Sequence, residues 1–301
     1  MIDTIMPIAK HAWDIIMSYY KSDRLDVHGK RDENDVVTAA DFAADTYIQE
    51  QLRGLFPDDQ ILTEETLHPI TDRSGWVWIV DPLDGTNNFA QQKDEFCVMI
   101  GHCTNAIPDV GVVYFPVTQT FFVAQTWEGA WCIRDGQREA VHASSCASLD
   151  DARVMSSKSH TLPLYEAILS REGDMRVHKW SGQKLLVWPS RRCMGYSSCL
   201  VARGELDIQM CLHGRMWKRD TCAPQVIMQE AGALLTEVDG SPLDYTQDSP
   251  FRDRGHLTAE KTVLHKCEKH HSPVNISKNS WILAKLSKSS IHNLHNIFLS
   301  Q

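Results

Sequence analysis

Two carboxylates, Asp81 and Asp84, stand three residues apart at the end of the apolar run Trp76-Val77-Trp78-Ile79-Val80. The run has the length and the branched and aromatic content of a buried strand. Pro82 and Gly85 follow. One fixes φ and lacks an N–H and the other tolerates φ > 0, so the strand is predicted to stop at Asp81 and turn. Both acids then emerge together at a strand end. Hard oxygens converging on a tight turn suit Mg²⁺. Gly85-Thr86-Asn87 adds backbone N–H groups and side-chain donors of the kind that hold a phosphate.

Three further segments carry acids that could meet this turn. Glu64-Glu65 ends a short predicted strand, Ile61-Leu62-Thr63. Asp41 sits in a helix predicted from Ala39 to about Gly54, after Val36-Val37-Thr38. Asp220 opens a helix predicted over Thr221–Ala231. Each acid taken alone has an ordinary explanation: a helix cap for Asp220, a solvated pair for Glu64-Glu65, a polar helix face for Asp41.

The elements that must position these groups follow from periodicity. Ile5, Ile8, Ala12, Ile15, Ile16 and Tyr19 share one face of a helix over 3–21. Strands near 96–103, 110–117, 120–126 and 129–134 are joined by turn residues as antiparallel hairpins. The second half changes character. Strands are predicted near 153–156, 176–180, 206–210 and 233–238, with helices near 160–171 and 194–203. The division is an N-terminal α+β half over 1–148 carrying most of the acids, an α/β half over 149–250, and a basic tail over 251–301. That tail holds eight Lys/Arg against three Asp/Glu and the cluster His265-Lys266-Cys267-Glu268-Lys269-His270-His271, and it reads as poorly packed rather than metal-binding.

Composition narrows the classes. The 301 residues are 43% hydrophobic, enough for a substantial core. A net charge of −9 argues against nonspecific nucleic-acid binding. No apolar run is long enough for a membrane span. The amphipathic N-terminus does not read as a signal peptide, and the nine cysteines form no CxxC pair, so they are expected to be reduced, buried thiols of a cytoplasmic protein.

The motifs, in order and spacing, resemble the inositol monophosphatase superfamily of Mg²⁺-dependent, lithium-sensitive phosphatases. Asp81-Pro82-Leu83-Asp84-Gly85-Thr86-Asn87-Asn88-Phe89 looks like its D-P-x-D-G-T-x-N-F signature and Thr63-Glu64-Glu65-Thr66 its G-E-E-S element. Asp35-Val36-Val37-Thr38-Ala39-Ala40-Asp41 looks like D-x-V-T-x-x-D. Asp220-Thr221-Cys222-Ala223-Pro224, with Glu230-Ala231-Gly232-Ala233, looks like W-D-x-A-A-G followed by E-A-G-G. The resemblance covers about residues 5–245.

It implies an α+β fold, a layered α-β-α-β-α sandwich. It implies two or three Mg²⁺ ions held by Glu64, Asp81, Asp84, Asp220 and the Leu83 carbonyl. Glu65 and Thr86 would orient the attacking water and Asp41 would hold the Thr86 hydroxyl. The Gly85 and Thr86 amides would bind the phosphate, and Gly195, Tyr196 and Ser197 would line the substrate pocket. The partner implied is a small phosphate ester, without nucleic acid or membrane, and family members often form homodimers. The reaction implied is direct displacement by water, without a phosphoenzyme.

The chain departs from the pattern at Arg219, where the family has Trp. A cation there would compete with Mg²⁺ for Asp220, and the side chain is expected to point to solvent. Pro224 is expected to fall in the first turn of its helix, where proline is tolerated. The Glu with which inositol-specific members grip sugar hydroxyls falls at His213, with Asp207 and Gln209 as nearby polar substitutes. Thr86-Asn87-Asn88-Phe89 leans toward the inositol type. Ser156-Ser157-Lys158-Ser159-His160 and Asp94-Glu95-Phe96-Cys97-Val98 lean toward 3′(2′),5′-bisphosphate nucleotidases. The reading favoured is an inositol-1-phosphatase-like hydrolase of a small phosphorylated polyol, with a 3′(2′),5′-bisphosphate nucleotidase as one alternative and a noncatalytic metal-binding scaffold as the alternative from another class.

Overall fold

In the computed structural model, residues 1–20, 27–29, 36–65, 75–146, 152–157, 176–180, 183–190, 193–211, 216–237, 241–246, 251–252 and 256–260 are described. The helix predicted over 160–171, the 265–271 cluster and His213 lie outside them.

The first layer is helical. α1 (Ile2–Tyr19) buries Ile2, Ile5, Ile8, Ala9, Ala12 and Ile16, the stripe that its 3.6-residue period places on one face. α2 (Ala39–Leu55) buries Ala40, Ala44, Ile48 and Leu52 in the same way. A short two-stranded ribbon, β1 (Val27–Gly29) with β2 (Val36–Thr38), leads into α2.

Both helices lie on a seven-stranded sheet. Its strands follow chain order: β3 (Gln60–Thr63), β4 (Trp76–Asp84), β5 (Cys97–Thr104), β6 (Ile107–Phe115), β7 (Thr120–Gln125), β8 (Ala130–Arg134) and β9 (Gln137–Ala140). β3 runs parallel to β4 and every later neighbour is antiparallel. Successive side chains of β4 alternate between two cores. Trp78 and Val80 pack toward α1 and α2, and Val77 and Ile79 pack toward the second half.

The second half supplies the next two layers. α4 (Met194–Ala202) and α5 (Lys218–Glu230) lie behind the first sheet, with α3 (Thr86–Ala90) a single short turn near the site. A six-stranded sheet follows, in the order β11 (Arg176–Trp180), β12 (Gln183–Ser190), β10 (Arg153–Ser157), β13 (Ile208–Cys211), β17 (His256–Glu260), β15 (Ala233–Glu237). β14 (Met216–Trp217) pairs with β16 (Phe251–Arg252) just before α5. The architecture is the expected α+β layered sandwich, described as helix, sheet, helix, sheet.

Two differences from the sequence reading concern the second half. β12 was not foreseen. β17 falls in the stretch assigned to the basic tail, yet it is hydrogen-bonded between β13 and β15. Its sequence, His256-Leu257-Thr258-Ala259-Glu260, is short and flanked by charge, so its composition hid a central strand.

α5 approaches the first sheet unusually closely. Gly101 and Gly111 are cross-strand partners. A Cβ at Gly101 would lie 2.5 Å from Cys222 Sγ and 2.8 Å from Ala223 N, and one at Gly111 would run into the Ala223 carbonyl. The far end of α5 is pinned too. The Glu230 carboxylate accepts the amides of Trp127 (3.1 Å) and Gly129 (2.9 Å) in the β7–β8 turn. Asp220, at the near end, is therefore fixed relative to β4–β6.

Candidate active site

The parallel pairing of β3 and β4 sets the first two acids. Leu62 faces Ile79 and Thr63 faces Val80, so Glu64 and Asp81 continue off the same edge side by side. β4 does not stop at Asp81 as predicted. It runs to Asp84, and its pairing with β5 shifts register between Asp81 and Asp84. The irregularity does the work expected of a turn, since extra chain between two pairings re-aims side chains at a strand end. Within it the Leu83 amide donates to Asp81 Oδ1 at 3.0 Å. Gly85 then takes φ +96° at the start of α3, a conformation that penalises any side chain.

Thr86, the first residue of α3, places its hydroxyl oxygen 3.1 Å from Asp41 Oδ1 and 3.0 Å from the Leu83 carbonyl. The hydroxyl has one proton, so only one acceptor is served at a time. Asp41 is fully buried in the first turn of α2. This joins the helical layer to the acid turn.

Asp84 is held from the second half. Its Oδ2 accepts the Gly195 amide at 2.6 Å, from the N-terminal turn of α4, and lies 3.6 Å from Cys97 Sγ. A Cβ at position 195 would meet Cys97 Sγ at 2.5 Å, so glycine is what lets α4 come this near. Cys97 and Cys193 have their sulfurs 3.8 Å apart, unbonded and buried, as expected of packed thiols.

Asp220 is the third residue of α5. The helix starts at Lys218, three residues earlier than predicted. Its carboxylate accepts the Trp217 amide at 3.3 Å. The earlier start moves Pro224 out of the first turn. Its missing N–H removes the donor that would otherwise reach the Asp220 carbonyl.

Arg219 corrects the sequence reading most sharply. It does not point to solvent. It is 7% exposed, stacks on the Trp217 ring with Cζ 3.7 Å from the centroid, and reaches into the acids. One terminal nitrogen lies 2.8 Å from Glu64 Oε1. Nε lies 3.8 Å from Asp220 Oδ1 and 3.9 Å from Asp81 Oδ2, too far to hydrogen-bond either, and has no other hydrogen-bond partner among the described residues. The physical reason is balance. Four acids at the junction of β3, β4 and α5 attract the nearest cation, and Trp217 gives its planar face a platform. Trp217 two residues before Arg219 was the signal available in the sequence.

One nitrogen touching Glu64 while another flanks Asp81 and Asp220 means that these three acids share a site, with Asp84 coupled to them. Burial, then Glu64 and Asp84, push the Asp81 carboxyl well above its ordinary value, with Arg219 opposing. Burial also raises Asp84, against the pull of the Gly195 amide and the Cys193 and Cys97 thiols. Asp220 is pushed up to about 7 by burial, with Arg219 the main opposing influence and Asp84 and Glu64 adding repulsion. Arg219 is itself raised by Glu64, Asp220, Asp81 and Glu65, which outweigh its burial.

The expected substrate contacts fare differently. Ser197 is buried, and its hydroxyl donates back to the carbonyl of Cys193 or Met194, both at 3.1 Å, so it packs α4 rather than facing a ligand. The Gly195 amide is engaged with Asp84. Tyr196 packs edge-on against Phe115 at 5.5 Å between centroids. Asp207 is not a free polyol grip. It binds the Arg153 amide at 2.6 Å, the Arg153 guanidinium at 2.9 Å and Ser144 Oγ at 2.5 Å, and its carboxyl is lowered in consequence. Gln209 is buried against Ser198 and Met194. Both were candidates because the sequence shows polarity but not partners.

The chain is similar to known proteins in sequence and in fold. Residues 1–272 match the inositol monophosphatase family. The chain is 34% identical over 262 residues to the 3′(2′),5′-bisphosphate nucleotidase CysQ of Escherichia coli K12, covering 85% of this chain and 98% of that protein. It is 32% identical over 233 residues to an inositol-1-monophosphatase of Synechocystis, covering 75% of each. The solved structure of an IMPase from Thermotoga maritima superimposes with a TM-score of 0.72 at 20% identity, covering 95% of this chain and 99% of that one.

Proposed function

Because the chain belongs to the inositol monophosphatase family of Mg²⁺-dependent phosphatases, and is thus a phosphoric monoester hydrolase, we propose that the junction of β3, β4, α3 and α5 is its catalytic centre and that its ester is a nucleoside 3′(2′),5′-bisphosphate. The observation that carries the site is the convergence of Glu64, Asp81 and Asp220 on one guanidinium, with Asp84 coupled to them by charge.

The donor set fits Mg²⁺. It is all oxygen, and burial together with mutual repulsion pushes its acids toward protonation, a cost that a hard cation removes. Glu64, Asp81, Asp84, Asp220 and the Leu83 carbonyl would hold it. Mg²⁺, when bound, neutralises phosphate charge and makes a water nucleophilic at neutral pH. Among the protein's own groups, Asp41 keeps the Thr86 hydroxyl donating toward it, which leaves the Thr86 lone pairs to orient a water. Glu65, next to Glu64 in the chain, would take that water's proton. The amides of Gly85 and Thr86 would hold phosphate oxygens. That water would attack phosphorus in line as the P–O bond to the alcohol breaks, the leaving oxygen taking a proton from solvent, so no phosphoenzyme would form.

Two observations favour the nucleotide over the polyol. Identity and coverage are higher for the nucleotidase relative. Asp207 and Gln209, the substitutes for a polyol-gripping acid, are both engaged inside the protein. Inositol 1-phosphate is the second reading, supported by the Synechocystis relative and by Thr86-Asn87-Asn88-Phe89.

A phosphate-release panel decides between them: 3′-phosphoadenosine 5′-phosphate, inositol 1-phosphate, fructose 1,6-bisphosphate and histidinol phosphate, each with Mg²⁺, with EDTA and with lithium. The expected result is highest kcat/KM on the first, abolished by EDTA and lowered by lithium. Higher kcat/KM on inositol 1-phosphate selects the second reading. Mg²⁺ binding with no hydrolysis of any ester makes the chain a scaffold.

A further inference from the structure

Arg219 is a cation built into a site that otherwise gathers acids. It is nine-tenths buried, with its plane fixed on Trp217. It sits among three carboxylates as an ion would, near 2.8 Å from one and 3.8–3.9 Å from the other two. Its Nε–H is a buried donor with no acceptor among the described residues, so the Glu64 contact, the Trp217 stack and the surrounding charge set its position rather than a full set of hydrogen bonds. Glu64, which it touches, is one of the carboxylates proposed to hold Mg²⁺.

We propose that Arg219 is a resident monovalent cation of the catalytic centre, occupying Glu64 and standing in for one divalent ion. The chain then binds one divalent ion fewer than it does once Arg219 is replaced by an uncharged side chain. This rests on the phosphatase reading of the acid cluster. Two consequences follow from the geometry. An ion entering beside Glu64 must displace the guanidinium, which keeps its charge at any working pH and is stacked in place. The remaining sites, near Asp84 and Asp220, feel one extra positive charge and bind more weakly for it.

The test counts metal directly. Mn²⁺ substitutes for Mg²⁺, and free Mn²⁺ is read by electron paramagnetic resonance during titration of the full chain. Wild type, Arg219→Ala, Arg219→Lys and Asp84→Asn are compared, with Mg²⁺ calorimetry in parallel. Arg219→Ala should bind one additional Mn²⁺, with the shared sites tightened at least tenfold. Arg219→Lys keeps the charge and should keep the wild-type count. Equal stoichiometry and affinities within twofold for wild type and Arg219→Ala overturn the proposal while leaving the phosphatase reading intact. Absence of Mn²⁺ binding in both, unchanged by Asp84→Asn, overturns the metal reading of the cluster and the proposal with it. Should Arg219→Ala fail to fold, Arg219→Trp removes the charge while filling the space, and the same counts apply.

Discussion

Asp41→Asn should slow turnover without unfolding the protein. Asp41 touches the proposed chemistry through Thr86, whose hydroxyl lies between Asp41 Oδ1 at 3.1 Å and the Leu83 carbonyl at 3.0 Å. A carboxylate can only accept, so with Asp41 in place the proton goes toward it. An asparagine weakens that bond, and its amide can donate to the hydroxyl instead, which turns the Thr86 proton toward Leu83 and reverses the direction of the lone pairs. A hydrogen bond to a charged group contributes about 1.5–3 kcal/mol, which corresponds to about 10- to 150-fold in rate. The loss should fall on kcat, with KM little changed. Steady-state phosphate release at saturating Mg²⁺ measures it, and thermal melts check the fold. A double-mutant cycle with Thr86→Ala makes the reasoning refutable. If Asp41 acts through Thr86, the double variant is about as slow as the slower single one. Losses that multiply in the double variant, or an Asp41→Asn enzyme within threefold of wild type, would show that the hydroxyl is not oriented this way.

Three other outcomes are expected. Asp84→Asn should cut turnover by roughly 100-fold or more through loss of charge where transition-state charge is stabilised, whereas Leu83→Met should be nearly silent because only its carbonyl serves; activity near wild type for Asp84→Asn at limiting Mg²⁺ would contradict the assignment. Asp220 has a folded value of about 7, raised from 3.8, so the native state holds the extra proton between those values. Metal-free stability due to Asp220 is then present at about pH 4 and lost as pH rises toward 7, by about 4 kcal/mol at most. Urea melts in EDTA should show a steeper decline in wild type than in Asp220→Asn, in which Asp81 and Asp84 stay raised by burial, and a wild type that gains stability over this range relative to the variant would contradict it. Gly111→Ala should destabilise by about 1–3 kcal/mol by forcing α5 off the sheet, and Mg²⁺ affinity should fall with it; a urea midpoint unchanged from wild type would show that the sheet yields instead.

How much of this was legible in the sequence depended on what each residue's partners were. Asp81, Asp84, Glu64 and Asp220 were found from motif order, because strand ends and helix starts are local features and the acids stand at them. The turn after Val80 was read from Pro82 and Gly85, but the strand continues to Asp84, since a register shift needs knowledge of the neighbouring strand. Arg219 was misread because sequence gives a side chain's identity and not its direction, and that direction is set by Glu64, about 150 positions away in the chain. Asp207 and Ser197 were misread for the same reason: Arg153, Ser144 and the carbonyls of α4 satisfy them. β17 was lost because its pairing partners, and not its composition, make it a strand.

The seating of α5 on paired glycines bears on biosynthesis. Glu64, Asp81 and Asp84 leave the ribosome long before α5 does, and the N-terminal sheet has no groove filler until Ala223 arrives against Gly111. Arg219 and Asp220 emerge together, so the fourth acid never reaches its companions without a counter-charge beside it. A nascent chain halted before that helix would carry three of the four acids and could not close the cluster.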